Sequence, residues 1–146
     1  MTTARRSSSR RRTEAPEKAN PERGEHEIRL AGRPFVLRPS YTAIRAIEDK
    51  TGRSIIDLAR AGQSGAMLYG DVEIVASELI RAGAGDDEFI ANVSPERVGE
   101  MIYEAGLPAV VARLTLALID AATGGRTATG EARVVAKASG GPATAA

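Results

Sequence analysis

Few side chains in this sequence could carry out acid–base or nucleophilic chemistry. The chain has one histidine, His26, and no cysteine, so no thiolate is available as a nucleophile or as a metal ligand. Glu48, Asp49 and Asp57 could together supply a general acid and a general base. Acids are common on helix surfaces and at helix caps, however, and a structural role explains them better. We expect a protein that is not an enzyme, with a structural or surface role for His26.

The acidic run Asp86-Asp87-Glu88 could ligate a hard cation through its carboxylate oxygens. A calcium-binding loop also needs a glycine at its sharp turn and a glutamate at its end, and this spacing has neither. The run is better explained as the start of a turn or helix. No glycine-rich segment opens a helix as a phosphate-binding loop does. We therefore expect no metal and no cofactor.

Length and hydropathy indicate a soluble protein. The chain has 146 residues, about the length of one domain. No apolar run approaches the roughly 20 residues that cross a bilayer, and the N-terminus lacks the apolar stretch of a secretory signal. We expect a cytoplasmic protein that does not contact a membrane.

Charge divides the chain into three parts. Residues 1–24 carry seven Lys/Arg against three Glu, a net charge of +4. Residues 25–122 carry ten against fifteen Asp/Glu, a net −5, and residues 123–146 carry three against one, a net +2. The composition predicts a disordered basic arm at 1–23, a folded domain at 24–122 and a flexible Gly/Ala-rich tail at 123–146.

The basic arm is the only segment of the sequence whose composition suggests binding to nucleic acid. Its arginines, which include Arg5, Arg6 and Arg10, could bind phosphates by releasing counterions. No aromatic residue alternates with them to stack on bases, and the acidic domain would repel phosphate. We do not expect nucleic acid as a partner, although an accessory role through the arm is an alternative.

The domain begins with a predicted β-hairpin. Residues 27–30 alternate polar and apolar side chains, Ala31-Gly32 supplies a two-residue turn, and residues 35–38 return. This register pairs Ile28 with Phe35. Pro34 cannot donate a hydrogen bond to a ladder, so the second strand is predicted to lie at an edge.

Capping signals and helical spacing predict four or five short helices after the hairpin. Ser40, Ser54 and Ser94 are N-caps, and Asp71 is a possible cap after a loop at 62–70. The most apolar segment, residues 108–122, is predicted to be the central helix. The fold class is therefore α+β, an N-terminal hairpin packed on a small helical bundle.

Two surfaces are candidates for binding a partner. One is the edge strand, through Phe35, Val36 and Leu37, to which an extended segment could add. The other is the predicted loop, whose apolar residues stay uncovered unless they begin the third helix. The loop residues are Met67, Leu68 and Tyr69.

Three short motifs follow one another in the first half of the domain. They are Arg23-Gly24-Glu25, then the segment LAGRPFVLR at 30–38, then Ala43 followed by Ile47-Glu48. In this order they resemble the small tail-assembly protein family of gene transfer agents and long-tailed phages. The segments around Gly83 and from 106 to 122 are also similar to the family.

The resemblance implies a non-enzymatic tail assembly chaperone or adaptor of a phage-like particle. Its partners would be the tape-measure protein and the tail tube protein. Some members of the family are called tail tube proteins, so a structural tube subunit is the alternative. Tube rings are built from extended sheets that join between subunits, whereas this chain offers one short hairpin, which favours the chaperone.

Overall fold

A computed structural model describes residues 26–124 and 126–132 of the chain. Within these ranges two antiparallel strands precede six helices, which confirms the α+β class. The predicted arm, 1–23, and the last part of the predicted tail, 133–146, lie outside the described residues. The elements are β1 (His26–Leu30), β2 (Arg33–Leu37), α1 (Tyr41–Thr51), α2 (Ile55–Ser64), α3 (Tyr69–Ala82), α4 (Glu88–Ala91), α5 (Pro95–Ala105) and α6 (Leu107–Ala122).

The hairpin has the register that its sequence predicts, with Ile28 opposite Phe35. Ala31 and Gly32 form the two-residue turn with φ angles of 52° and 79°. Positive φ at both turn residues matches the natural twist of antiparallel strands. One face of the hairpin is buried in the core through Ile28, Leu30, Phe35 and Leu37.

Three serines cap the N-termini of helices, as predicted. The Oγ atoms of Ser40, Ser54 and Ser94 each accept a hydrogen bond from the backbone N–H three residues later. These bonds satisfy donors that a helix N-terminus otherwise leaves unpaired. Asp87 caps the short α4 in the same way, so the acidic run at 86–88 begins a helix.

The junction of α2 and α3 differs from its prediction. Helix α2 continues past Gly62, and α3 begins at Tyr69 rather than after Asp71. Leu68, the residue before α3, makes no side-chain capping hydrogen bond. The loop between α2 and α3 covers residues 65–68 and is shorter than the predicted loop at 62–70. Helix α3 begins where its residues start to pack against the core. Tertiary contacts therefore outweigh local capping and propensity signals at this position.

Helix α3, rather than α6, lies at the centre of the domain. It packs against β2, α1, α4, α5 and α6. The expectation that the most apolar helix is central is wrong, because the outer side of α6 is itself apolar and leaves Leu116 48% exposed. The buried residues of α3 are Val72, Val75, Ala76, Ser77, Glu78, Leu79 and Ile80.

The C-terminal end of α3 lies directly on β2. The N–H of Arg38 donates a hydrogen bond to the carbonyl of Leu79, at 3.0 Å. Gly83 follows the helix, and a Cβ atom at this position would lie 2.4 Å from the carbonyl oxygen of Val36. A side chain at residue 83 would therefore force the helix and the strand apart.

We expect Gly83→Ala to destabilise the protein by about 1–3 kcal/mol, the usual cost of overpacking a tight contact. The atom that the new methyl group meets belongs to the backbone of Val36, so it cannot rotate away. Urea denaturation followed by circular dichroism measures the free energy of unfolding.

Gly70→Ala is the matched control for this experiment. Gly70 lies in the first turn of α3, and a Cβ atom there would meet nothing within 4 Å. Alanine should be neutral or stabilising there by up to about 1 kcal/mol, because it is the better helix former. Equal effects of the two substitutions would contradict the proposed contact between α3 and β2.

Candidate partner-binding surfaces

The predicted edge strand turns its largest side chains inward. Phe35 is 6% exposed and Leu37 is fully buried, whereas Val36 is partly exposed. The carbonyl of Val36 faces Gly83, so the last part of β2 lies against the end of α3 where a partner strand would add. Partner docking through these three residues stays a prediction, and it would require α3 to move away from the strand.

The three residues predicted at the second surface lie in different environments. Met67 is partly buried and packs against the core, whereas Leu68 is 61% exposed. Tyr69 begins α3, and its hydroxyl donates a hydrogen bond to the carbonyl of Gly99 on α5, at 3.1 Å. Of this set, Leu68 and Tyr69 reach a surface that a partner could contact.

A cleft lies between α3 and α5, and we call it the tyrosine cleft. Its volume is about 300 Å³. The ring of Tyr103, 79% exposed, lies 6.5 Å from the ring of Tyr69, centroid to centroid. Tyr103 was not among the residues predicted to bind a partner, although an aromatic residue outside the buried stripe of α5 signals an exposed ring. The lining residues are Tyr69, Glu73, Glu96, Gly99, Glu100 and Tyr103.

The tyrosine cleft is acidic. Glu73, Glu96 and Glu100 line it, and Glu100 forms an exposed ion pair at 3.3 Å with Arg97. Partial burial, together with the nearby Glu73 carboxylate, raises the pKa of the Tyr69 phenol above its ordinary value. Carboxylates beside tyrosine rings suit a lysine or arginine side chain, which pairs with the acids and lies over a ring face.

The profile of a protein family described as "Phage tail tube protein, GTA-gp10" matches residues 23–125. The chain belongs to this family. The match spans the hairpin and helices α1–α6, so the resemblance to tail proteins of phages and gene transfer agents is confirmed at the level of the family. Comparison with curated proteins and with solved structures gives no match.

The single histidine of the chain takes part in a hydrogen-bonded cluster. His26 Nε2 lies 2.8 Å from Asp120 Oδ2, and Arg126 Nη2 donates to the same oxygen at 2.8 Å. Burial raises the pKa of Asp120, but hydrogen bonds from Arg126 and His26 outweigh burial and lower that pKa below its ordinary value. The cluster joins the start of β1, the end of α6 and the segment that follows α6.

The described part of this tail protein contains no group of three or more His, Cys, Asp or Glu side chains that could hold a metal ion. Among the same residues, no helix combines the length and apolarity needed to span a membrane. Of the surfaces described above, the tyrosine cleft is the main candidate for binding a partner.

We expect acid to remove the stability that Asp120 contributes. Its folded-state pKa lies below the unfolded-state value, so the contribution is present above that unfolded value and is lost as the pH falls through the folded-state pKa. Asp120→Asn should cost about 0.5–1 kcal/mol near neutral pH, because the Asp120 side chain is 43% exposed and solvent screens its interactions. Urea denaturation from about pH 7 down to about pH 2.5 measures this.

Asp86→Asn, which changes an exposed acid before α4, is the matched control and should keep the pH dependence of the wild type. The assigned role of Asp120 is wrong if Asp120→Asn loses as much free energy of unfolding on acidification as the wild type does.

Proposed function

We propose that this phage tail protein is a non-enzymatic assembly chaperone or adaptor that binds the tape-measure protein and aids tail tube assembly. The observation that carries the proposal is the small amount of sheet. In the described residues the only sheet is a two-stranded hairpin with five residues in each strand. Membership of a tail protein family supplies the tail context.

A tube ring built by pairing strands between subunits needs free strand edges. Here the end of β2 lies against α3, and Arg38 already donates its N–H to Leu79. A ring that added a strand to β2 would have to open the contact between α3 and β2. Helix surfaces are the larger part of what this domain offers to a partner.

The tyrosine cleft supplies a surface that fits a tape-measure segment. A tape-measure protein is long and largely helical, and it exposes apolar stripes before assembly. One such helix could cover the exposed ring of Tyr103 while its basic side chains pair with Glu73 and Glu100. The acidic domain would also help to keep the complex soluble. In this proposal the protein acts in the cytoplasm, before the particle is complete.

A structural tube subunit is the second candidate, and the description of the matching family favours it. The two functions differ in whether the protein is part of the finished particle. A tube subunit is present in many copies in the finished particle, whereas a chaperone leaves before completion. Mass spectrometry of purified particles, with the copy number normalised to the tape-measure protein, separates them. Many copies per tape measure would overturn the chaperone proposal.

We expect the tape-measure protein that is encoded beside this chain to become soluble and to co-purify when the two are co-expressed. Tyr103→Ala should weaken the complex about tenfold, because exposed aromatic side chains at the centre of an interface carry a large share of its binding free energy. Co-purification yield and a binding titration measure the effect.

Phe89→Ala is the matched control for Tyr103→Ala. Phe89 is 77% exposed, on the short helix α4, and does not line the tyrosine cleft. The Phe89→Ala protein should bind the tape-measure protein as tightly as the wild type does. If both substitutions leave the complex unchanged, the tape-measure protein binds elsewhere, and if no complex forms with the wild type, the chaperone proposal fails.

A further inference from the structure

Two acids of the tyrosine cleft have no basic partner in the described part of the chain. Arg97 pairs with Glu100, whereas Glu73 and Glu96 form no ion pair with any described residue. A Cβ atom at Gly99 would lie 2.3 Å from Oε2 of Glu73, so this carboxylate lies directly against the backbone of α5. No lysine or arginine lines the cleft. The folded domain therefore leaves the negative charge of the cleft only partly neutralised.

The cleft combines this charge with an exposed aromatic face. The ring of Tyr103 is open to solvent beside that of Tyr69. A guanidinium group is planar, so it can lie over a ring and still donate hydrogen bonds to a carboxylate. A lysine ammonium is a compact point charge and does not match the planar carboxylate in this way. The chemistry of the cleft therefore favours arginine over lysine.

The chain itself carries a segment rich in arginine. Residues 5–12, which we call the arginine segment, contain no acidic residue and lie outside the described residues. Opposite charges at this density attract over about 10 Å at 0.1 M salt. The charge of the arginine segment is thus complementary to that of the cleft. Its five arginines are Arg5, Arg6, Arg10, Arg11 and Arg12.

The arginine segment is long enough in its connection to reach the cleft. The described structure begins at His26 in β1, and β1 packs against α5, one wall of the cleft. Residues 13–25 connect the arginine segment to β1 and would span about 45 Å when fully extended. A domain of this size is only about 35 Å across. Such a tether gives the arginine segment an effective concentration of about a millimolar at the cleft.

We propose that the arginine segment of each chain binds the tyrosine cleft of the same molecule and so competes with a basic partner helix. Its guanidinium groups pair with Glu73 and Glu96 and cover the ring of Tyr103. The regulatory consequence rests on the proposed function, because a tape-measure helix would use the same cleft and would have to displace the arginine segment. The contact between the arginine segment and the cleft does not depend on that function.

Paramagnetic relaxation enhancement in the full chain tests the contact. The chain has no cysteine, so Ser8→Cys supplies a single attachment site for a nitroxide label within the arginine segment. At low salt we expect the amide signals of Gly99 and Tyr103 to broaden more than that of Ile56, an exposed residue of α2. Salt at about 1 M, which shortens the Debye length to about 3 Å, should remove the difference.

A pair of double variants shows whether the cleft is the binding site. Glu73→Gln with Glu96→Gln should abolish the preferential broadening, because both unpaired carboxylates are lost. Asp49→Asn with Glu88→Gln is the matched control, since these acids are exposed and do not line the cleft. This control should broaden like the wild type. The inference is overturned if broadening is uniform over the domain or persists in the cleft variant.

A mixing experiment distinguishes contact within one molecule from contact between copies. Chains that carry the nitroxide are mixed with isotope-labelled chains that do not. Because the contact is proposed within one molecule, the amide signals of Gly99 and Tyr103 should then stay sharp. Broadening as strong as in the singly labelled protein would show that the arginine segment binds a second copy, which contradicts the proposal.

A binding titration separates this inference from the chaperone proposal. Replacing all five arginines of the arginine segment with serine should increase affinity for the tape-measure protein about tenfold, because the tethered competitor is removed. Lys18→Ser, which removes a positive charge outside the arginine segment, should leave the affinity unchanged. Equal affinities of the wild type and the serine variant would contradict the competition.

The two proposals fail in different ways. If the nitroxide broadens the cleft but the tape-measure protein binds neither form of the chain, the chaperone proposal fails and the contact stands. If the tape-measure protein binds but the nitroxide does not broaden the cleft, this inference fails and the chaperone proposal stands.

Discussion

The enclosure of α3 is the constraint on which the rest of the domain depends. Glu78 on this helix is only 8% exposed, and an unpaired carboxylate at such a position would be costly. Lys50 on α1 donates to it at 2.5 Å, and Arg81, one turn later on α3, donates to the same oxygen. Arg81 also donates to the carbonyl of Val93, at 2.9 Å. The carboxylate of Glu78 thus links α1 to the central helix, and Arg81 links the central helix to the segment before α5.

The elements that could be predicted from the sequence are those formed by interactions between residues close together in the chain. The turn at Ala31-Gly32 and the caps at Ser40 and Ser94 depend on neighbours within four residues, so pattern and spacing were sufficient. The start of α3 has no such signal. Leu68 makes no side-chain cap bond, and the helix begins there because the following residues find a core that other segments supply. The central place of α3 likewise depends on packing partners that are distant in sequence.

The candidate surfaces were predictable to a smaller extent, for the same reason. Tyr69 was predicted from apolar residues in a presumed loop, but the second ring of the tyrosine cleft and two of its three acids, Glu96 and Glu100, come from α5. Their proximity exists only after α3 and α5 have packed. The turn at residues 126–132, which the composition placed in the flexible tail, was harder still to predict, because a backbone carbonyl at Ala128 and the missing side chain of Gly130 form its main contacts. Hydrophobic patterning does not detect contacts of either kind.

The tyrosine cleft would recognise a partner through a combination of charge and aromatic contact. Its carboxylates and exposed ring faces make recognition electrostatic in part, so salt would weaken binding there. A basic helix therefore suits this surface better than an acidic or uncharged one.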